Sequence, residues 1–305
     1  TMGIGPAQRR LSFLVVVLCY SRLLYIEFTL AQTLEHFLAG LQNAFLFLGG
    51  VPQDVLTDNL KTAVLRHPAG EAPVFHARYL DFARHHGFTP KACGPYQPQA
   101  KGRVENGVGY VKKSLLNGLD LTGLAAVNAA ARHWLDTVAN VRLHGETRQT
   151  PAERFQNEKS ALRPLNAHPY DVGVIAPVRV NPQFRVSVDG NRYSVPAEYA
   201  SCRLTLKRTP THLWFYDQQT LVAEHVRHYD RGQDYAHPEH ERALLQERRS
   251  LRAQRLLQRF FQLAPQAEVF YRQMEERCLN PRQHARQIVA LAEIYPPERV
   301  ARAIE

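Results

Sequence analysis

Two carboxylates define the chemistry open to this sequence. Asp58 stands in the triplet Thr57-Asp58-Asn59, directly after the short apolar run 51–56, and Glu105 follows 47 positions later inside PYQPQAKGRVEN, residues 95–106. Acids brought together from distant segments can hold a pair of hard divalent cations, Mg²⁺ or Mn²⁺, about 3.5–4 Å apart against a phosphodiester. Other metal chemistry has little to work with. The four cysteines, Cys19, Cys93, Cys202 and Cys278, lack the close pairing of a zinc site. His76, His85 and His86 have no acid at a matching spacing and are expected at the surface. Glu27 and Asp54 read as solvent-facing strand acids. Lys101, Glu105 and Lys112 fall within about 40° of one another on a helix. That arc suits either a solvated salt-bridge face or the lip of a cleft for a polyanion.

The elements that must position these acids follow from hydrophobic spacing. Residues 12–19 and 23–28 are apolar, β-branched runs interrupted at Tyr20-Ser21-Arg22, which predicts a hairpin covered on both faces. Residues 1–10 read as the tail of a loop. Helices are expected over 30–48, ended by Gly49-Gly50, over 74–86, and from about Lys101, where Val104, Val108, Val111 and Leu115 form one stripe. Short strands are expected at 51–56, ending beside Asp58, and at 88–93. A helix over 124–141 should turn Trp134, Leu135, Val138 and Val141 inward. Thr150 can cap a short helix with Pro151 at its first position. Residues 1–157 therefore predict an α/β layer with a mixed sheet, and 158–171, with Pro164 and Pro169, a linker.

Beyond the linker the pattern changes. Six short alternating strands within 172–230 predict a small closed β-barrel, either an inert spacer or one that rides on a nucleic-acid backbone with Arg185, Arg192, Arg203, Lys207 and Arg208 on its surface as candidate contacts. Residues 231–305 read as a helical region cut by Pro265, Pro281 and Pro296-Pro297. On its first helix Arg248, Arg252, Arg255 and Arg259 lie within about 60° of each other, either a solvated face or a phosphate-contacting stripe. The last residues, 293–305, could pack against another protomer.

Composition agrees with a folded chain whose partner is a polyanion, either nucleic acid or an anionic membrane surface. Of 305 residues 45% are hydrophobic and 22% charged, and the net charge of +10 calls for a polyanionic partner. The excess is spread: 17 Lys/Arg against 12 Asp/Glu in residues 1–160, and 21 against 16 in residues 161–305. The apolar run from Phe13 to Tyr20 is too short to span a membrane. Nothing at the start reads as a signal peptide, so a reduced, cytoplasmic setting is expected.

Residues 57–59 and 95–106 resemble the retroviral-integrase superfamily, with Glu105 in the place of the final acid. VLTDNLKTAV (55–64), LCYSR (18–22), TPAERF (150–155) and RYSVP (192–196) are similar, more narrowly, to the IstA-type transposases of bacterial insertion sequences that also encode a helper ATPase. The resemblance covers nearly the whole chain. It implies an RNase H-like catalytic core, then the barrel and the helical region, and a DDE transposase that cuts transposon ends with water and joins the freed 3′ hydroxyls to target DNA. Asp58 and Glu105 would be two of three ligands to two Mg²⁺ or Mn²⁺ ions. Asn59, Lys61, Lys101, Arg103, Lys112 and Lys113 would lie near the DNA. The implied partners are double-stranded DNA, an AAA+ helper ATPase and at least one further copy of the chain, with no membrane.

One departure bears on activity. The family's first aspartate sits on a strand before the hairpin, and no acid precedes Glu27 here. The expectation is a chain that binds DNA but does not cut or join it. A non-catalytic DNA-binding or assembly module is the alternative, ahead of a nuclease of the wider RNase H-like group.

Overall fold

The computed structural model describes residues 2–4, 7–9, 11–57, 62–67, 71–93, 106–117, 123–277 and 279–304. The chain divides into two compact units. One holds residues 1–176, 206–213 and 226–229, and the other holds 177–205, 214–225 and 230–305.

The first unit opens with a hairpin where a loop tail was expected. β1 (Met2–Ile4) and β2 (Ala7–Arg9) pair antiparallel, from Met2↔Arg9 to Ile4↔Ala7. β3 (Ser12–Val17) and β4 (Leu24–Thr29) form the predicted hairpin, in register from Ser12↔Thr29 to Val17↔Leu24. Two helices press its β3 strand from opposite faces. α1 (Leu34–Leu48), ended by Gly49 at φ +68°, comes so close at Gly40 that a Cβ there would meet Leu14 Cδ2 at 2.7 Å. Alternation along a strand sends Val15 and Val17 the other way, and there Gly107 of a later helix rests.

β5 (Asp54–Thr57) is followed by β6 (Val64–Arg66) and β7 (Val74–Phe75), which pair with each other. α2 (Ala77–His86) therefore starts later than its hydrophobic spacing suggests, because Val74 and Phe75 are drawn into a strand. β8 (Thr89–Ala92) lies parallel to β5, with Thr57 opposite Ala92. α3 (residues 106–115) is α-helical to 110 and π-helical over Val111–Leu115. α4 (Leu124–Trp134) also runs into a π-helical turn, Leu135–Ala139. That turn inserts an extra residue per revolution, so the inward phase slips. Trp134 and Leu135 are buried as expected, while Val138 and Val141 are exposed and Ala139 and Asn140 take the buried places.

The free edge of β4 is met by side chains. Asn140 accepts from Leu24 N at 2.9 Å and donates to Leu24 O at 3.0 Å. Asn128 does the same for Phe28, at 2.7 and 3.0 Å. Glu27 is half-buried and not simply solvent-facing: it accepts from the Tyr25 hydroxyl at 2.7 Å and from Asn43 at 3.0 Å. α5 (Pro151–Glu158) begins in the predicted way, with Thr150 and Glu153 forming a reciprocal capping box. Residues 158–171 are tied down: Val51 and Arg163 exchange backbone hydrogen bonds, and Tyr170 donates from its N to Gln42 and from its hydroxyl to Asp81.

The following strands are β9 (Val174–Arg179), β10 (Arg185–Val188), β11 (Asn191–Ser194), β12 (Arg203–Arg208), β13 (His212–Asp217), β14 (Thr220–Val226) and β15 (Asp234–Tyr235). They form a four-stranded sheet, β14-β13-β12-β9, and a three-stranded one, β10-β11-β15. The expected closed barrel is not found among the described residues. β15 docks parallel on β11 and supplies the third strand of a separate sheet. The second unit ends in α6 (Pro238–Phe261), α7 (Ala267–Arg277), α8 (Pro281–Ile294) and α9 (Pro297–Ile304), around a core of Phe260, Tyr271, Met274, Val289 and Ile304. Among the described residues no helix is long and apolar enough to cross a membrane.

Candidate functional site

Asp58 and Glu105, together with Asn59, Lys61, Lys101 and Arg103, lie outside the described residues. What the structure shows is the scaffold on which each is mounted. Thr57, the residue before Asp58, is buried at the carboxyl end of β5. Its carbonyl accepts from Cys93 N at 3.0 Å, and its hydroxyl donates to Lys91 O at 3.3 Å. Two parallel strands therefore finish side by side there, and carboxyl ends of parallel strands are where α/β folds collect their ligands. Below that end lies an aromatic cluster in which Tyr79 is wholly buried against Phe37, Phe75 and Phe88.

Glu105 is the residue before the first described position of α3. A Cβ at Gly107 would lie 3.2 Å from Val17 and 3.5 Å from Leu24, so the start of α3 sits tightly on the hairpin. Further along, Tyr110 is held by two neighbours: the Arg142 guanidinium stands 3.7 Å from its ring centroid, and the Trp134 ring lies 5.3 Å away, tilted by 35°. Trp134 Nε1 in turn donates to Ser114 Oγ at 3.1 Å. With Val111 and Leu115 fully buried, α3 is fixed in rotation, and Lys112 and Lys113 are left exposed.

Two motifs 130 residues apart in sequence prove to be one structural clasp. At the hairpin turn, Arg154 donates from Nε and Nη2 to Tyr20 O at 3.1 and 2.9 Å and stacks 4.3 Å over the Tyr20 ring. Ser21 N donates to Glu158 at 3.1 Å, and Arg22, at φ +64°, grips both oxygens of Glu146 at 3.1 Å. The LCYSR and TPAERF segments are thus the two halves of a contact that holds α5 to the turn.

Other features escaped the sequence. Glu35 in the first turn of α1 is buried and pairs with the equally buried Arg227 at 3.1 Å, with Arg208 at 3.8 Å. Burial pushes the Glu35 carboxyl up, but its own backbone N–H, Thr33 and the Arg227 guanidinium together hold it below the usual carboxylate range. A separation of 192 residues leaves no signal for such a pair. His86, expected at the surface, is buried with both ring nitrogens unpartnered among the described residues, packed 4.4 Å from Phe82 and 5.4 Å from Phe45. Burial first, then the neighbouring His85, pushes it down to about 4. His85 instead bonds His168 O, and His76 caps α2 by accepting from Arg78 N.

The basic candidates fall into two groups. Arg185 pairs with Asp234 at 2.8 Å, Lys207 with Asp171 at 2.6 Å and Arg259 with Glu293 at 2.8 Å. Arg252 and Arg255 on α6 are exposed, as are Lys112 and Lys113. The side chain of Arg248 lies outside the described residues. Among the described residues no group of three or more His, Cys, Asp or Glu could hold a metal ion.

Residues 1–98 match the integrase core domain, and residues 165–237 match the Mu transposase C-terminal domain. Asp58 falls within the first match; Glu105 lies just past it. The chain is 31% identical over 236 residues to a putative transposase for insertion sequence element IS5376 from Geobacillus stearothermophilus, covering 77% of this chain and 55% of that protein. It is 33% identical over 221 residues to the transposase for insertion sequence element IS21 from Pseudomonas aeruginosa, covering 71% and 56% respectively. The chain thus spans little more than half the length of these relatives. The catalytic core domain of BIV integrase aligns with 49% of this chain and 88% of its own at 19% identity, with a TM-score of 0.37. The chain thus carries matches to an integrase core domain and, after it, a Mu transposase C-terminal domain, and the relatives similar to it are transposases of insertion sequences.

Proposed function

We propose that this chain supplies the catalytic and DNA-contacting parts of a transposase that cuts transposon ends and joins them to target DNA. Asp58 and Glu105 act as carboxylate ligands within an RNase H-like core. Divalent cations held there would activate the attacking oxygen and stabilise the leaving one. The residues themselves bind and orient. Thr57 and Cys93 fix the strand end that carries Asp58, and the Tyr110–Trp134–Arg142 stack fixes the helix that follows Glu105. Lys112 and Lys113, and Arg252 and Arg255 on α6, hold DNA by its phosphates, which positions the duplex without reading its sequence. Residues 1–157 form the core, 158–171 its connection, 172–230 the strand-rich segment and 231–305 the helical region. The proposed partners are double-stranded DNA, a second copy and an AAA+ helper ATPase.

The observation that carries this reading is the parallel pair β5–β8, which ends at Thr57 and Cys93 directly before Asp58. In the full-length protein as encoded by its gene, Asp58→Ala or Glu105→Ala should lower strand transfer at least about a hundredfold. Binding of transposon-end DNA, measured by mobility shift, should survive. Retained strand transfer, or loss of folding in place of activity, would overturn the assignment.

A further inference from the structure

α8 turns an uncharged stripe to solvent. Ala285 and Val289 are buried in the core of the helical region, so the opposite side of the helix points outward. There Gln283, Gln287, Ala290, Leu291 and Ile294 are all exposed, and helical geometry puts them within about 100° of one another. Ile294 is 75% exposed and Leu291 45%. Beside Leu291 the apolar surface continues into a cavity of about 250 Å³, lined also by Phe270, Ile288 and Tyr295, with Arg299 as its cation. An exposed apolar patch with a polar rim marks an interaction site.

The charges along the other border of the stripe say what fits it. Arg286 and Glu293 stand there two turns apart, at azimuths within about 20°. Arg286 is exposed and takes part in no ion pair among the described residues. Glu293 accepts from Arg259 through Oε1 at 2.8 Å, in an exposed pair, and a carboxylate can take a second guanidinium on its other oxygen. The border thus runs from positive to negative along the helix. A parallel copy of α8 would bring Arg286 against Arg286. An antiparallel copy, centred between Val289 and Ala290, sets each Arg286 opposite the partner's Glu293. The small side chain of Ala290 at that centre lets the two helices approach closely.

We propose that the outward face of α8 docks a second copy of this chain, antiparallel across a twofold axis beside Ala290. Leu291 and Ile294 of both copies are buried in the contact, and the Arg286–Glu293 pair is made twice at its edge, as a self-complementary interface requires. This rests on the second copy named among the partners above and gives that copy a surface.

The test is the mass of the full chain by analytical ultracentrifugation over a range of concentrations, free and bound to a transposon-end duplex. Wild type should be in monomer–dimer equilibrium when free. Ile294→Glu, at an exposed position, should leave the circular dichroism unchanged and weaken association at least about tenfold. Arg286→Glu and Glu293→Arg should each weaken it about tenfold, because like charges then face each other, and the double variant should return to within about threefold of wild type. That recovery has to come from between two chains, since side chains seven apart on one helix are not neighbours. A dimer that Ile294→Glu leaves unchanged, or charge reversals that the double variant does not rescue, overturns this surface and leaves the second copy standing. A wild type that is monomeric when free overturns the surface as well, and one that also sits singly on the duplex overturns the second copy with it.

Discussion

Arginine is put to opposite uses in two regions of this chain. In the first unit it is a building material. Arg227 is buried against Glu35, Arg154 is clamped over Tyr20, Arg22 holds Glu146, and Arg78 donates from Nη2 to the carbonyls of Asp171 and Gly173. Along α6 the same residue type stands in solvent. Residues 248–262 contain five arginines and no acid, and Arg252 and Arg255 are exposed. Net charge therefore says nothing about which arginines are open to a phosphate. A guanidinium already committed to a carbonyl or carboxylate must give up that bond before it can take a phosphate, whereas one held in water has only water to displace.

The largest effect should come from breaking the internal use. Arg227→Met leaves Glu35 buried and short of its main partner, and should cost about 3–5 kcal/mol. Urea unfolding followed through the buried Trp134 measures this. Arg252→Ala should move the same midpoint by no more than about 0.5 kcal/mol. Equal effects from the two would erase the distinction.

A second, smaller effect concerns acid. His86 titrates at an ordinary 6.5 in the unfolded chain but is pushed down to about 4 in the fold. Between those values the unfolded chain takes up a proton that the folded one refuses. Stability therefore falls as pH drops through that window, by at most about 1.4 kcal/mol per pH unit, and levels off below it. Glu35, held below its usual range, has the same sign at lower pH: its contribution is lost as acid protonates it. His86→Phe, which suits the surrounding Phe45 and Phe82 rings, should flatten the upper part of the curve. A curve unchanged in that variant would show that His86 is not its source.

The smallest effect sharpens the other side of the comparison. Each of Arg252→Ala and Arg255→Ala should reduce the slope of log affinity for duplex DNA against log salt by about 0.9. Arg154→Ala, which removes a guanidinium already committed to Tyr20, should leave that slope alone. A slope change in Arg154→Ala and none in the α6 variants would reverse the assignment.

Much of this architecture was legible because its causes are local. The hairpin follows from its β-branched runs, the end of α1 from Gly49, and the start of α5 from a capping box readable as Thr150-x-x-Glu153. The errors have local causes too, but ones that no fixed period carries. Val138 and Val141 were phased on 3.6 residues per turn, and the π-helical turn Leu135–Ala139 breaks that count. Val74 and Phe75 fit a helical stripe but are claimed by β6. The closed barrel failed because strand number alone does not determine which strands become neighbours. His86 and Glu35 were invisible for a different reason: their surroundings are assembled from distant segments, and burial of a polar side chain leaves no mark on the residues beside it.

The two asparagines on the edge of β4 have a consequence beyond packing. Among the described strands β4 pairs with β3 alone, so its outer backbone groups would otherwise offer a template for a strand from another molecule. Each carboxamide presents one donor and one acceptor, as a neighbouring peptide unit does, and Asn128 and Asn140 fill two such places at Phe28 and Leu24. At those two places the edge is already occupied from within the chain, which keeps it from adding a strand of a neighbouring molecule when crowded.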